Sequence, residues 1–251
     1  MTSFIAEFIG TAMLLLLGNG VVANVVLNST KGNNSGWIVI TTGWALAVFV
    51  SVVVVSPYSG AHINPAVTIG LAIAGKFAWS NVGYYILAQM LGAIFGSFLV
   101  WLAYRDHFAT TEDKDGILAV FSTKPAIKNR ISNIVTEMIG TFVLVFAIFY
   151  FTHASFNLPN MSDNEVIVGL GSIGAFPVAL LVWSIGLSLG GPTGYAINLA
   201  RDLGPRILHA FLPIKNKGGS DWGYAWVPVI GPIMGGAIAA LCFIALTELS
   251  N

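Results

Sequence analysis

Two asparagines stand where hydrogen-bond chemistry could be concentrated. Asn64 lies in the run Gly60-Ala61-His62-Ile63-Asn64-Pro65-Ala66, and Asn198 in Gly194-Tyr195-Ala196-Ile197-Asn198-Leu199-Ala200. Each precedes a short apolar segment, about 65–75 and 199–211. Asparagine is a favoured helix N-cap because its side-chain oxygen accepts from a free backbone N–H. Pro65 suits the first helical position, where that N–H is not needed. As capped helix starts, either asparagine needs no further explanation. Two such starts facing each other would differ: their amide N–H groups and the positive ends of two helix dipoles would share one space. Water or an alcohol oxygen can accept from those donors, whereas a cation or a hydronium ion is repelled. That is the chemistry of selective passage, with no bond made or broken.

The remaining reactive residues do not assemble into a catalytic or metal-binding set. His62, His107, His153 and His209 are scattered along the chain with no paired nucleophile. Cys242, the single cysteine, lies in an apolar run and offers neither a disulfide framework nor a thiol metal site. An enzyme is not expected, and neither is a cofactor or a metal. Glu7, Glu137 and Arg201 sit in otherwise apolar stretches, where an ionisable residue is costly and functional by default. The glutamates could carry protons, or could accept from backbone N–H groups of the loops leading into the short helices. The supporting role is preferred. Arg201 either belongs to the path or snorkels to the membrane edge.

The elements that must hold these residues are membrane spans. The 251 residues are 56% apolar and 9% charged, against roughly a quarter charged in a soluble domain. The formal net charge is zero and no basic tract exists, which argues against a nucleic-acid partner. Six stretches are long and apolar enough to cross a bilayer: about 4–27, 37–56, 82–104, 131–153, 166–189 and 225–248. The first is read as a span retained in the mature protein and not as a signal peptide. The segments after Asn64 and Asn198 cover only about half a membrane. A half-span is tolerated only where protein or a water-filled path surrounds its inner end.

The halves repeat. Glu7-x-x-Gly10-Thr11 matches Glu137-x-x-Gly140-Thr141, the two asparagine motifs match, and Gly92-Ala93-x-x-Gly96 matches Gly231-Pro232-x-x-Gly235. The offsets are 130, 134 and 139 residues, so the duplication covers nearly the whole chain. Three spans per copy is an odd number, so the second copy enters from the opposite side and the half-helices meet head to head near the midplane. Glycines four apart suit close crossing of helices. The expected unit is one membrane channel domain over 1–251, with repeats at about 4–104 and 131–248 and a linker at 105–130.

Over residues 4–248 these features resemble the aquaporin or major intrinsic protein family. The resemblance implies an all-α membrane protein, an aquaporin-like bundle of six transmembrane helices plus two half-helices in an inverted repeat. One departure is Leu199, where the family usually has proline; leucine keeps the apolar wedge, and Asn198 can still cap. By the same resemblance Arg201 lines the narrowest constriction, and the other constriction positions fall on Trp44, Gly186 and Tyr195. Asp202 after the arginine is similar to the glycerol-conducting branch, the aquaglyceroporins. Trp44 with Gly186 implies a slot wider than that of a water-selective member, with an apolar wall. A polyol would lay its carbon edge on Trp44 and Tyr195 and bond its hydroxyls to Arg201 and backbone carbonyls. Tyr195 departs from the usual phenylalanine and makes that wall more polar. Asn64, Pro65 and Ala66 with Asn198, Leu199 and Ala200 are the implied pore motifs. His62 resembles a pore-wall histidine, and Glu7 and Glu137 resemble structural supports.

The expected function is passive diffusion of glycerol and other small neutral solutes, with some water. Lactic acid, a mainly water-conducting path and a proton-coupled secondary transporter are the alternatives. The resemblance also implies a homotetramer contacting lipid, with both chain ends in the cytoplasm, and a bacterial plasma membrane is the expected setting. Counted naively, the positive-inside rule says the reverse, because ten of the eleven lysines and arginines, all but Lys76, then fall on the outer side.

Overall fold

The computed structural model describes residues 1–152, 154–157 and 165–249. Its long helices are α1 (Ser3–Val26), α2 (Trp37–Ser59), α4 (Trp79–Ala103), α7 (Arg130–Phe149), α8 (Phe176–Leu189) and α10 (Val227–Leu249). With the 3₁₀ turn Gly171–Ala175 added to α8, all six are long and apolar enough to cross a membrane. The half-helices are α3 (Pro65–Ile73) and α9 (Leu199–Phe211). The chain is an integral membrane protein whose outward faces carry large apolar side chains such as Leu46, Leu87, Phe95 and Leu241.

Local chemistry sets several boundaries. Thr2 caps α1 and Asn129 caps α7, each accepting from a backbone N–H three residues on. The α2 helix ends at Gly60, whose φ of 79° suits a residue without a Cβ. The repeat is visible in the packing: α1 lies on α4 as α7 lies on α10, and α3 lies on α10 as α9 lies on α4. Glycines permit the closest of these crossings. A Cβ on Gly92 or Gly96 would collide with the α1 carbonyls of Phe8 and Ala12, and one on Gly235 with the Met138 carbonyl of α7. Each half-helix therefore rests on the last span of the opposite repeat, and that arrangement brings the two half-helix N-termini together.

Two expectations need correction. Residues 166–168, expected to open the fifth span, lie in β2 (Glu165–Val168), which pairs antiparallel with β1 (Ala154–Asn157), Ala154 opposite Val168. The segment Val166-Ile167-Val168 is apolar but short and β-branched, and periodicity alone does not separate such a run from a helix. Gly171, at φ 55°, then lets the chain turn into the span. The fourth span ends at Phe149, four residues early, and its expected last residue, His153, lies outside the described residues. The linker 105–130 carries α5 (Arg105–Thr110) and α6 (Lys114–Phe121). Ile117, Leu118, Val120 and Phe121 of α6 are buried, and Phe121 stacks on Phe108 at 5.5 Å.

Candidate functional site

The loops before the half-helices share an unusual backbone. Positive φ occurs at Gly60, Ala61 and Ile63, and at the matching Gly194, Tyr195 and Ile197. For a β-branched residue this is a true outlier, costing on the order of 1–3 kcal/mol each, and it persists only where the surroundings enforce it. The enforcing groups are the two intramembrane glutamates. Glu7 accepts from the backbone N–H groups of His62 at 3.0 Å and Ile63 at 2.7 Å, from Ser59 Oγ at 2.6 Å and from Gln89 Nε2 at 2.7 Å. Glu137 accepts from the N–H groups of Ala196 at 3.0 Å and Ile197 at 2.8 Å. With their N–H groups drawn outward to carboxylates, the loops are left with their carbonyls for the cavity they line. Replacing Glu7 by glutamine puts an NH₂ group where donors already converge. The expected result is a loss of about 1–3 kcal/mol, read as a lower unfolding temperature in detergent. A proton-carrier role predicts instead a well-folded variant that has lost a pH-gradient dependence.

Asn64 and Asn198 do more than cap. Asn64 Oδ1 accepts from Ala66 N at 2.9 Å, while Asn198 Oδ1 accepts from Ala200 N at 3.0 Å and Arg201 N at 3.2 Å. Each amide nitrogen also crosses to the other repeat: Asn64 Nδ2 donates to Ile197 O at 2.8 Å and Asn198 Nδ2 to Ile63 O at 2.9 Å. One hydrogen of each NH₂ thus straps the two loops together, and the second is left for the lumen. Leu199, the departure from proline, is buried at the first helical position and leaves the cap intact.

Between the repeats lies a cavity of about 380 Å³. Trp44, Val48, Val52 and Ser56 line it on successive turns of α2, a run of about 18 Å at 1.5 Å per residue. Leu144 and Ile148 of α7, with Val178 and Val182 of α8, complete an apolar wall. The polar side is made by residues 60–64, residues 195–198 and Arg201. This lumen is amphipathic along its length.

Three residues that line this cavity carry a buried polar atom without a hydrogen-bond partner among the described residues: Trp44 Nε1, Tyr195 Oη and one guanidinium nitrogen of Arg201. All three residues are buried, and Arg201 Cζ stands 4.3 Å from the Trp44 ring centroid, a cation–π contact. Arg201 is thus buried against the cavity it lines. Gly186 packs against Tyr195, where a Cβ would stand 2.9 Å from Tyr195 Cζ. The tyrosine ring fills the room that the glycine leaves, so the expected wide slot is partly occupied by its neighbour.

Asp202 faces away from the lumen. It is fully buried, accepts from Thr123 N and Oγ1, both at 2.6 Å, and pairs with Arg206 at 2.8 Å. Arg206 also donates to the carbonyls of Ser220 and Thr123. The His62 ring meets Thr68 Oγ1 at 3.1 Å and packs between Phe77 and Tyr85. Sequence reasoning missed Trp37, whose Nε1 donates to Gly186 O at 3.1 Å and whose ring meets Tyr195 edge-on. It also missed the Asp202–Arg206 pair, although the i, i+4 spacing on a helix was a usable signal. Lys217, outside the spans, closes the end of α9 by donating to the carbonyls of His209, Ala210 and Leu212. Its partial burial pushes the ammonium pKa below the usual lysine value.

The chain is similar to known proteins in sequence and in fold. A family model described as "Major intrinsic protein" matches residues 1–243. A Thermotoga maritima protein named "Probable glycerol uptake facilitator protein" is 55% identical over 240 residues, covering 96% of this chain and 97% of that one. A glycerol uptake facilitator protein of Streptococcus pneumoniae is 54% identical, with 97% and 98% covered. A D/L-lactic acid transporter of Lactiplantibacillus plantarum is 40% identical, with 94% of each chain covered. Among solved structures, the aquaglyceroporin from Plasmodium falciparum superposes with a TM-score of 0.79 at 30% identity, covering 96% and 94%.

Proposed function

The chain belongs to the major intrinsic protein family, and from that premise we propose that it is a passive membrane channel for glycerol and similar small neutral solutes, passing some water. The observation that carries this reading is the two-sided lumen. Val48, Val52, Leu144 and Val182 offer one apolar wall, and the carbonyls of the two strained loops with the asparagine amides offer the other. A polyol has that same division, with carbons along one edge and hydroxyls along the other. A hydroxyl both donates to carbonyls and accepts from Asn64, Asn198 and Arg201, so it exchanges water for protein partners at little net cost. At the constriction, Trp44 Nε1, Tyr195 Oη and Arg201 supply the polar contacts, and the two rings supply the apolar bed. The fixed guanidinium charge repels cations and hydronium there, and the two helix N-termini do so at Asn64 and Asn198.

Transport by this route is downhill. The carboxylates that could have carried protons, Glu7 and Glu137, are engaged in holding the loops. The setting that goes with this reading is a bacterial plasma membrane, with four copies assembled side by side and each copy carrying its own path.

The experiment is reconstitution in liposomes, with volume followed by light scattering. After a glycerol gradient is imposed, rapid reswelling absent from protein-free liposomes is expected, with a rate unchanged by a pH gradient. Fast shrinkage without reswelling makes this a water channel, and a rate that follows the pH gradient makes it a coupled transporter. Undissociated lactic acid, tested in the same vesicles, is expected to pass more slowly than glycerol, since the relative named for it is the more distant one.

A further inference from the structure

We propose that Gly18 sets the width of the constriction by seating the Trp44 indole, and so acts as a positioning residue for solute selection; this rests on the glycerol-channel reading above. Helices α1 and α2 pack along their length. A Cβ built on Gly18 would lie 2.5 Å from Cε3 and Cη2 of Trp44, and would also fall on Cζ3. These are three consecutive atoms of the benzo ring, so the indole rests directly on the α1 backbone. The ring is 3% exposed, and the Arg201 guanidinium carbon stands 4.3 Å from its centroid.

A side chain at position 18 therefore has to move the indole, since ring atoms of Trp44 are the nearest atoms it would overlap. Retreat towards α1 is blocked by the added carbon itself. The open volume that the ring borders is the lumen it lines. The displaced ring would then close on Arg201 and take away the width that a polyol needs over water. The opposite wall is built in the same way, since Cβ atoms at Gly186 and Gly190 would meet the Tyr195 ring at 2.9 and 2.6 Å. Both aromatic walls are thus recessed into glycines of the helices behind them. Glycine inside a helix is unfavourable relative to alanine, and the seat is what offsets that cost at position 18. Gly20, two residues on in the same helix, supplies the control, because a Cβ there meets nothing within 4 Å.

The test compares glycerol and water permeability in proteoliposomes for the unaltered protein, Gly18→Ala, Gly20→Ala, Trp44→Phe and the Gly18→Ala/Trp44→Phe pair. Gly18→Ala is expected to lose about tenfold or more of the glycerol flux and less than about threefold of the water flux. Gly20→Ala should change neither. Trp44→Phe removes the edge that the new carbon meets, so the pair should conduct glycerol to within about threefold of Trp44→Phe alone. A merely structural role for Gly18 lowers both fluxes together through the amount of folded channel; an unchanged ratio overturns the proposal. So does a pair no better than Gly18→Ala. If Gly18→Ala does not fold, the pair decides. Folding and conducting like Trp44→Phe supports the seat, and failing to fold places the clash in the helix and overturns it. Absence of glycerol flux from the unaltered protein sinks the channel reading, whereas normal flux there with an unchanged ratio in Gly18→Ala sinks this inference alone.

Discussion

Glycerol flux through a Gly186→Leu channel is expected to fall about a hundredfold or more, with water flux reduced far less. The Tyr195 ring is clamped on the side away from the lumen. Gly186 lies against Cζ and Cε2, Gly190 against Cδ1, and Trp37 meets the ring edge-on at 5.8 Å while its Nε1 holds the Gly186 carbonyl. Thr41 Cγ2 fills the remaining corner, 3.1 Å from where the first carbon of a new side chain would sit. A leucine at 186 can be relieved only by driving the tyrosine towards Arg201, across the path. Stopped-flow glycerol and water measurements on the same vesicles check the result. A companion Gly186→Leu/Tyr195→Ala should recover most of the glycerol flux, since the obstruction is the displaced ring and not the leucine. Full glycerol flux in Gly186→Leu would show that the tyrosine has another place to go, and that the constriction is not formed by these two residues.

The bundle was largely legible in the sequence because its boundaries depend on local properties. A run of about 20 apolar residues reads as a span wherever it stands, and α9 begins and ends where its apolar segment does, at Leu199 and Phe211. Asn64 and Asn198 mark helix starts by their own side chains, and both accept from the N–H two residues on. What was not legible depends on partners far apart in the chain. The amide straps from Asn64 to Ile197 and from Asn198 to Ile63 join residues more than 130 positions apart. Gly186 reads as open width in the sequence, because nothing local says that Tyr195 will lie against it. The antiparallel pairing of Ala154–Asn157 with Glu165–Val168 was hidden by an apolar run too short to declare a period.

The basic residues that contradict the expected orientation are a further case. Counting charges ignores what they are tied to. Arg201 is buried against the Trp44 ring and Arg206 lies in a buried pair; Lys124 pairs with Asp115, Lys128 stands 3.8 Å from Asp221, and Lys217 closes α9. Part of the excess is thus tied to the second half-helix, which carries Arg201 and Arg206 and whose end Lys217 closes. It is a poor guide to which side faces the cytoplasm.

Asp202→Ala is expected to cost about 3–5 kcal/mol, the range for breaking a buried ion pair by removing one partner. Arg206 is fully buried and would keep its carbonyl partners while losing the charge that balances it. The damage should spread to the constriction by a short path. Asp202 holds Thr123 through both its N–H and its hydroxyl. Thr123 Cβ stands 3.4 Å from where a Gly194 side chain would begin, and Ala126 N donates to Pro192 O at 2.9 Å. Residues 123–126 therefore brace the loop that presents Tyr195, and Asp202 braces them in turn. The measurable result is an unfolding temperature in detergent lower by several degrees, with glycerol selectivity over water reduced in the channels that remain folded. Replacing both partners, Asp202→Ala with Arg206→Leu, should recover much of the stability, because no uncompensated charge is left. It should not recover selectivity, because Thr123 stays unheld. Recovery of both together would mean that the pair contributes only stability, and that the loop bearing Tyr195 keeps its position without Thr123.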